Sequence, residues 1–378
     1  MIRSLRQKFN REYSAEKYAR FLALLEQRCG ERAQFRHSET PVFLPRDVVD
    51  KMARYGREMV EQLLADPRYE QESREAIPPA YRVPNEDRMP LFVQADFGLD
   101  QDLEPKLVEI QGFPSLYAYQ PVMAEAYREA YDIPIDPVPS DYYSLLREAI
   151  VGRHDPANVA LTEIDPWPQK TRHDFLITEQ ELGIRTVDIR ALEKRGNRLY
   201  HGDTPIDRIY NRVIFDELER ENIALPFDLR DDIKVEWAGH PNWFFRLSKF
   251  SLPYLNHPAV PRTQFLDGVG RVADPAQFVL KPLYSFAGLG VIVGPAQEQI
   301  DAVPAERRRD HILQERVDFR PVIETPYGPT KIEVRIMYIW RGSLTPVNTI
   351  IRMGRGAQMG VDHNKGMEWV GASAAFIE

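Results

Sequence analysis

The stretch that most constrains this chain is 277–294, which reads as strand, glycine-bearing loop, strand. Phe278, Val279 and Leu280 form a short apolar run that ends on Lys281, and Val291, Ile292 and Val293 form a second that ends at Gly294. β-Branched and aromatic residues bounded by turn formers predict two strands. Ser285, Gly288 and Gly290 lie between them. Glycines there let a backbone come close to a ligand and leave N–H donors open to phosphate oxygens. Lys281 adds a charge that can reach the same oxygens. Residue order excludes three familiar alternatives. A P-loop carries its lysine after the glycines and opens a helix. Gly288, Gly290 and Gly294 are spaced GxGxxxG, not the GxGxxG of a dinucleotide fold. The protein-kinase lysine lies downstream of its glycine loop. A plain hairpin with a glycine turn competes, and this stretch alone does not separate the two.

The residues downstream favour a nucleotide. After a charged, helix-like segment at 305–310, residues 311–317 form an apolar strand running into Gln314 and Glu315. Such a hinge can offer backbone groups to an adenine edge, and Glu315 to a ribose hydroxyl. Residues 331–340 alternate, which puts Glu333 and Arg335 on one face. A further strand runs from Thr345 to Arg352, followed by Asn364 and Gly366.

A second centre lies far upstream. Residues 91–99 and 106–111 read as an antiparallel hairpin, with Gln94 and Asp96 on one face of the first strand and Glu109 and Gln111 on one face of the second. This leaves Val108 and Ile110 for the core. Asp, Glu and a carboxamide together can hold a hard divalent cation through oxygen ligands, and Mg²⁺ takes one or two carboxylates plus nucleotide phosphates. In isolation, a half-exposed hairpin with polar outer faces is the preferred reading.

Elsewhere the pattern is that of an α/β protein. Helices are expected at 15–29, from Pro45 onward, at 117–131 and at 140–151, with Phe21, Leu25, Val49, Met52, Met59, Val60 and Leu63 facing a core. Strands at 158–164, 185–189 and 206–213 and a helix at 170–182 suggest a partly parallel sheet covered by helices. Tyr210, Asn211 and Arg212 end a strand, where substrates are often met; a structural ion pair is an equal reading of Arg212. The net charge of −8, with signs interspersed, argues against nucleic-acid binding. One cysteine, Cys29, rules out an internal disulfide framework. No apolar run of about eighteen residues exists to span a membrane, and the N-terminus lacks a signal-peptide core, so the expected location is the cytoplasm. The eight histidines show no HExxH spacing; His363, beside Asn364, is the one to watch.

The ordered set of lysine, glycine loop, Gln-Glu hinge, Glu-x-Arg strand, arginine strand and Asn-x-Gly resembles the ATP-grasp superfamily. Ordinary members close their metal site with an acidic residue and Glu-x-Asn after the arginine strand. Here Asp96-Phe97 and Glu109-Ile110-Gln111, followed by Pro114-Ser115, stand upstream instead. That layout is similar to circularly permuted ATP-grasp proteins, including the synthetase domain of glutathionylspermidine synthase; Gln111 departs from the asparagine. The resemblance implies an α/β (α+β) fold of N-terminal helices plus the permuted hairpin 91–111 within 1–152, a pre-ATP-grasp-like domain at 153–250, and nucleotide-binding subdomains at 251–378. It implies ATP held by Lys249, Lys281, Ser285, Gly288, Gly290, Gln314, Glu315, Glu333 and Asn364. Lys249, preceded by Ser248, stands where the family has an Asp-Lys pair opening a helix. Mg²⁺ would sit on Asp96, Glu109 and Gln111, with Arg335, Arg352 and Arg212 at the reacting groups. The implied activity joins a small-molecule or peptide carboxylate to an amine or thiol through an acylphosphate, releasing ADP, and leaves room for a homodimer. A phosphotransferase on the same scaffold and a non-catalytic nucleotide-binding protein are the alternatives.

Overall fold

The structure is a computed structural model and describes residues 1–285, 288–356, 359 and 366–378, with the side chains of 216 and 219 left aside. Its centre is a five-stranded antiparallel sheet in the order Gly371–Ser373, Leu344–Gly354, Lys331–Trp340, Phe92–Leu99, Pro105–Gln111. The upstream hairpin therefore shares one sheet with the strands of Glu333, Arg335 and Arg352, although more than two hundred residues separate them. Arg335 stands opposite Asp96, Glu333 opposite Arg352, Asp96 opposite Glu109, and Gln94 opposite Gln111. Directly opposed residues point to the same side of an antiparallel sheet, so all of these polar side chains share one face. The other face is apolar: Val93, Ala95, Phe97, Val334, Ile336, Ile351 and Met353 are fully or almost fully buried.

The hairpin departs from simple alternation in one place. The register shifts between Asp96 and Phe97, so that Asp96 faces Glu109 while Phe97 faces Leu107. Val108 is the extra residue. Leu107 and Ile110 take the core positions, and Val108 is instead half-buried and lines the cleft. A β-bulge re-aims a side chain in this way, and the alternating pattern does not reveal it.

A second antiparallel sheet, Thr263–Phe265, His311–Glu315, Phe278–Pro282, Ile292–Val293, carries Lys281 and Gln314. A third, with parallel strands Glu236–Ala238, Arg208–Asn211, Val159–Glu163 and Arg185–Asp188, is joined to the helix Arg172–Leu182 by short loops. Ser248 caps a short 3-10 helix, Lys249–Tyr254: its hydroxyl accepts from Phe250 N, and Ser251 answers with its own hydroxyl. Pro253 lies inside this turn, and a proline lacks the donor that a longer helix would need.

The N-terminal helices are packing elements. Ala15–Cys29 is capped by Ser14 and stopped by left-handed Gly30, and its Phe21 ring stacks at 3.8 Å on Tyr127 of the helix Tyr119–Tyr131. A first helix, Arg3–Glu12, and a strand, Val42–Leu44, are not among the elements expected from the sequence. That strand pairs in parallel with Ala375–Ile377, so the two ends of the chain are laced together.

The long helix Arg46–Ala65 lies against the apolar side of the central sheet. Tyr338 OH donates to the Ala53 carbonyl at 3.0 Å, and a Cβ on Gly56 would fall 2.2 Å from that hydroxyl. In a helix interior, Gly→Ala ordinarily gains about 1 kcal/mol. Here the clash reverses the sign, because overpacking costs about 1–3 kcal/mol. Gly56→Ala is expected to lower the melting temperature, and adding Tyr338→Phe to recover part of the loss. A melting temperature equal to or above that of the wild type would contradict this packing.

Candidate nucleotide and substrate cleft

The polar face of the central sheet and the inner face of the second sheet enclose a cleft of about 830 Å³, within the range of roughly 300–1,000 Å³ usual for small-molecule sites. Apart from Gly290 and Asn364, every residue given a nucleotide, metal or reacting-group role by the resemblance lines it, whereas Gln94, Tyr210 and Asn211 do not. Gly290 instead shapes the turn: its φ is 72°, and a Cβ there would meet Pro282 Cγ at 2.9 Å. Asn364 and His363 lie outside the described residues.

One end of the cleft is a compact set of charges. Arg335 grips Asp96 with two nitrogens, Nε to Oδ1 at 2.5 Å and Nη2 to Oδ2 at 2.6 Å, and donates Nη1 to Gln94 Oε1 at 2.9 Å. Arg352 bridges the same Asp96 carboxylate and Glu333, the latter at 2.5 Å. Burial alone would raise Asp96, but the two guanidiniums outweigh it and hold the carboxyl below its ordinary range. Burial pushes Glu333 upward, against the pull of Arg352. Lys281 donates to Gln314 Oε1 at 2.6 Å and to the Val108 carbonyl at 3.0 Å. Burial pulls it down to about 8, with Glu109 opposing and Lys249 adding to the fall. Lys249 donates to the Ser285 carbonyl at 2.6 Å. Glu315, at the hinge, is paired with Arg262 at 3.0 Å.

This end suits a nucleotide triphosphate. Gln314 Nε2 and Ser285 Oγ are buried with no hydrogen-bond partner among the described residues, so both side chains that line the cleft there carry an unanswered polar atom. Lined by nine Lys and Arg against six Asp and Glu among the described residues, the cleft is cationic in a chain of net charge −8. The fit to Mg²⁺ is narrower than the resemblance implies. Asp96 has both oxygens on guanidiniums. Glu109 stands 3.5 Å from Arg335 and 3.7 Å from Lys249 without a hydrogen bond among the described residues, so it is the carboxylate open to a cation. Among the described residues, no three His, Cys, Asp or Glu cluster in a way that could hold a metal ion.

The other end belongs to the parallel sheet. Arg212 is 2% exposed, paired with Asp174 at 2.5 Å and sandwiched by the rings of Phe113 and Phe175. Asp174 in turn accepts from the backbone N–H groups of Leu116, Ala118 and Tyr119. The ion-pair reading of Arg212 is thus present in full, and the residue also closes this end of the cleft. Sequence reasoning passed over its neighbours there, Glu163, Gln169, Lys170 and Thr171. Glu163 ends the strand Val159–Glu163, at the carboxyl end of a parallel sheet where ligands collect. The rule that singled out Arg212 applies to it equally.

Glu163 is pushed up to about 8 by burial, with Arg212 opposing, and its Oε1 accepts from Ile164 N at 2.9 Å. An acid raised in the folded state binds its proton more tightly there. Its contribution is complete below the ordinary value of 4.5 and is lost as pH rises towards about 8. Glu163→Gln is neutral throughout. Its melting temperature relative to wild type is therefore expected to climb between about pH 5 and pH 8, by an amount on the order of a few kcal/mol in stability. A gap that stays constant across that window would show that Glu163 is ionised in the fold.

No protein-family model matches the chain, and no curated protein matches it in sequence. Among solved structures it is similar to a glutathione synthetase-like effector from Globodera pallida in its apo form, with a TM-score of 0.62 and 11% sequence identity. The match covers 96% of each chain. At that identity the likeness speaks for the fold alone: the chain folds throughout its length like a glutathione synthetase-like protein.

Proposed function

We propose that this protein is an ATP- and Mg²⁺-dependent, ADP-forming ligase that joins a carboxylate to an amine or thiol. The observation that carries the reading is the convergence of Lys249, Lys281, Arg335 and Arg352 on one cleft from two separate sheets and a 3-10 helix, around a carboxylate, Glu109, left open to a cation. The circularly permuted ATP-grasp order is supported by the register that sets Asp96 and Glu109 beside Arg335.

In this reading Lys249 and Lys281 neutralise the phosphates and the Gly288 turn lies over them. Glu109, with the Gln111 oxygen, would hold Mg²⁺, which would supply positive charge against the phosphates when bound. A substrate carboxylate oxygen attacks the γ-phosphorus, and the bond to the bridging oxygen breaks to release ADP. The amine or thiol then attacks the acyl carbon, phosphate departs, and the nucleophile gives up its proton. Arg335 and Arg352 steady the charge on the transferring group, since rigid guanidinium forks match both phosphate and acylphosphate. They need little movement to do so, because Asp96 already fixes them. The far end, with Glu163, Gln169, Lys170 and Thr171, receives the organic substrate. A non-catalytic nucleotide-binding protein is the second reading, favoured by the commitment of both Asp96 oxygens to arginine.

ADP release that requires both a carboxylate and an amine or thiol tests the ligase directly; nucleotide binding without any such turnover would leave the second reading. Lys281→Ala is expected to raise the nucleotide dissociation constant by about tenfold to a hundredfold, since a charge-assisted contact is worth roughly 1.5–3 kcal/mol. Unchanged affinity by calorimetry would remove Lys281 from the phosphate site.

Arg352 both pairs with two buried carboxylates and faces the reacting group, so Arg352→Ala would confound folding with catalysis. Arg352→Lys keeps the charge and loses the fork. Turnover should fall on the order of a hundredfold with nucleotide affinity nearly retained, as for a contact that strengthens in the transition state. Parallel loss of affinity and turnover would instead make Arg352 a ground-state binding residue.

A further inference from the structure

Gln94 is wholly buried in the first strand of the hairpin, Phe92–Leu99, on the face that carries Asp96. Its carboxamide makes three hydrogen bonds. Nε2 donates to the Ser115 carbonyl at 2.7 Å, and Oε1 accepts from Arg335 Nη1 at 2.9 Å and from Gln111 Nε2 at 2.8 Å. Chemistry dictates this orientation. A guanidinium only donates, so Gln94 must turn its oxygen towards Arg335. That same oxygen can then meet Gln111 only through the Gln111 NH₂ group. The Gln111 oxygen is left without a hydrogen bond among the described residues, on a side chain that lines the cleft two positions from Glu109.

We propose that Gln94 is the positioning residue of the phosphate end, fixing the Arg335 guanidinium and, through the same oxygen, turning the Gln111 carboxamide oxygen into the cleft. The functional consequence rests on the nucleotide reading above; the positioning itself does not. Arg335 is held at three points, two on Asp96 and one on Gln94, so its plane as well as its charge is set. Gln111 has one more rotatable bond than asparagine would have. Gln94, its register partner, removes that freedom, so the longer side chain still presents one defined oxygen beside Glu109. Outer partners of this kind typically govern metal affinity or activity by about 10–100-fold.

Gln94→Met keeps the volume and removes the acceptor. Gln94→Glu keeps an acceptor for both Arg335 and Gln111, while it loses the donor to Ser115 and adds a negative charge. Crystal structures of both variants without ligand, together with Mg²⁺ titrations of binding of a non-hydrolysable ATP analogue, separate positioning from bulk. In Gln94→Met the Arg335 Nη1 and the Gln111 amide should leave their present places. The Mg²⁺ concentration for half-maximal binding should rise about 10–100-fold, with affinity for the analogue in chelator nearly unchanged. Gln94→Glu should restore both side-chain positions and most of the Mg²⁺ response. Unmoved Arg335 and Gln111 in the methionine variant, or a lowered melting temperature with an unaltered Mg²⁺ response, would overturn the proposal. A wild-type protein that binds no nucleotide would end the functional reading, while the crystal structures would still decide the positioning. Should Gln94→Met not fold, Gln94→Asn withdraws the oxygen by one methylene and is held to the same outcomes.

Discussion

A single buried carboxylate organises the middle of this molecule. Asp96 is 1% exposed and accepts from Arg335 and Arg352 together, so three strands, Phe92–Leu99, Lys331–Trp340 and Leu344–Gly354, are tied by charge as well as by their backbone ladder. Taking such ions out of water is costly, and removing one partner of a buried pair typically costs about 3–5 kcal/mol because the other is stranded. The arrangement is therefore all or nothing. If the hairpin slipped by one residue against Lys331–Trp340, Asp96 would turn to the apolar face, Arg335 would lose its paired carboxylate and Arg352 would keep only Glu333. The ion cluster specifies register, and register brings Glu109, Gln111, Glu333 and Arg335 onto one surface.

The same cluster explains how a cleft can be cationic and still be stable when empty. The arginines that would meet a phosphate already have carboxylate partners, and Lys281 rests on a carbonyl and a carboxamide oxygen. A polyanion would add to this set of partners rather than find bare charges. The positive lining on an acidic chain also concentrates anions at the mouth, which raises association rates in a salt-dependent way. At the other end Asp174 fulfils for Arg212 the role that Asp96 fulfils for Arg335, and it pins the segment Leu116–Tyr119 as well. Since Gln94 holds the Ser115 carbonyl, the two ends of the cleft are joined through one short stretch of backbone.

Much was legible in the residues themselves. Alternation marked the strands of the central sheet and assigned Gln94, Asp96, Glu333 and Arg335 to their faces. Periodicity marked Ala15–Cys29, and the glycine spacing excluded the commoner phosphate loops. These are local properties, set by side-chain period, backbone freedom and the missing donor of proline, and a chain displays them before it folds. Val108 escaped because a bulge adds one residue to a strand without any mark in composition. Glu163 escaped because no local pattern sets it apart; burial beside Arg212 does so.

What only the tertiary structure decided is partnership. The sequence could name Asp96 as a metal ligand or as a surface acid, and Arg212 as a substrate contact or an ion pair. Which it is depends on groups 239 and 38 residues away. Likewise the hydrogen bond of the Gln111 amide to Gln94, 17 residues earlier, is a partnership that the sequence does not display. By itself the sequence determined the elements, their faces and the residue types available for phosphate chemistry, because these follow from local geometry and covalent identity. Charge state, hydrogen-bond direction and the choice between counter-ion and ligand depend on burial and on distances between strands, and those come into being only when the sheets assemble.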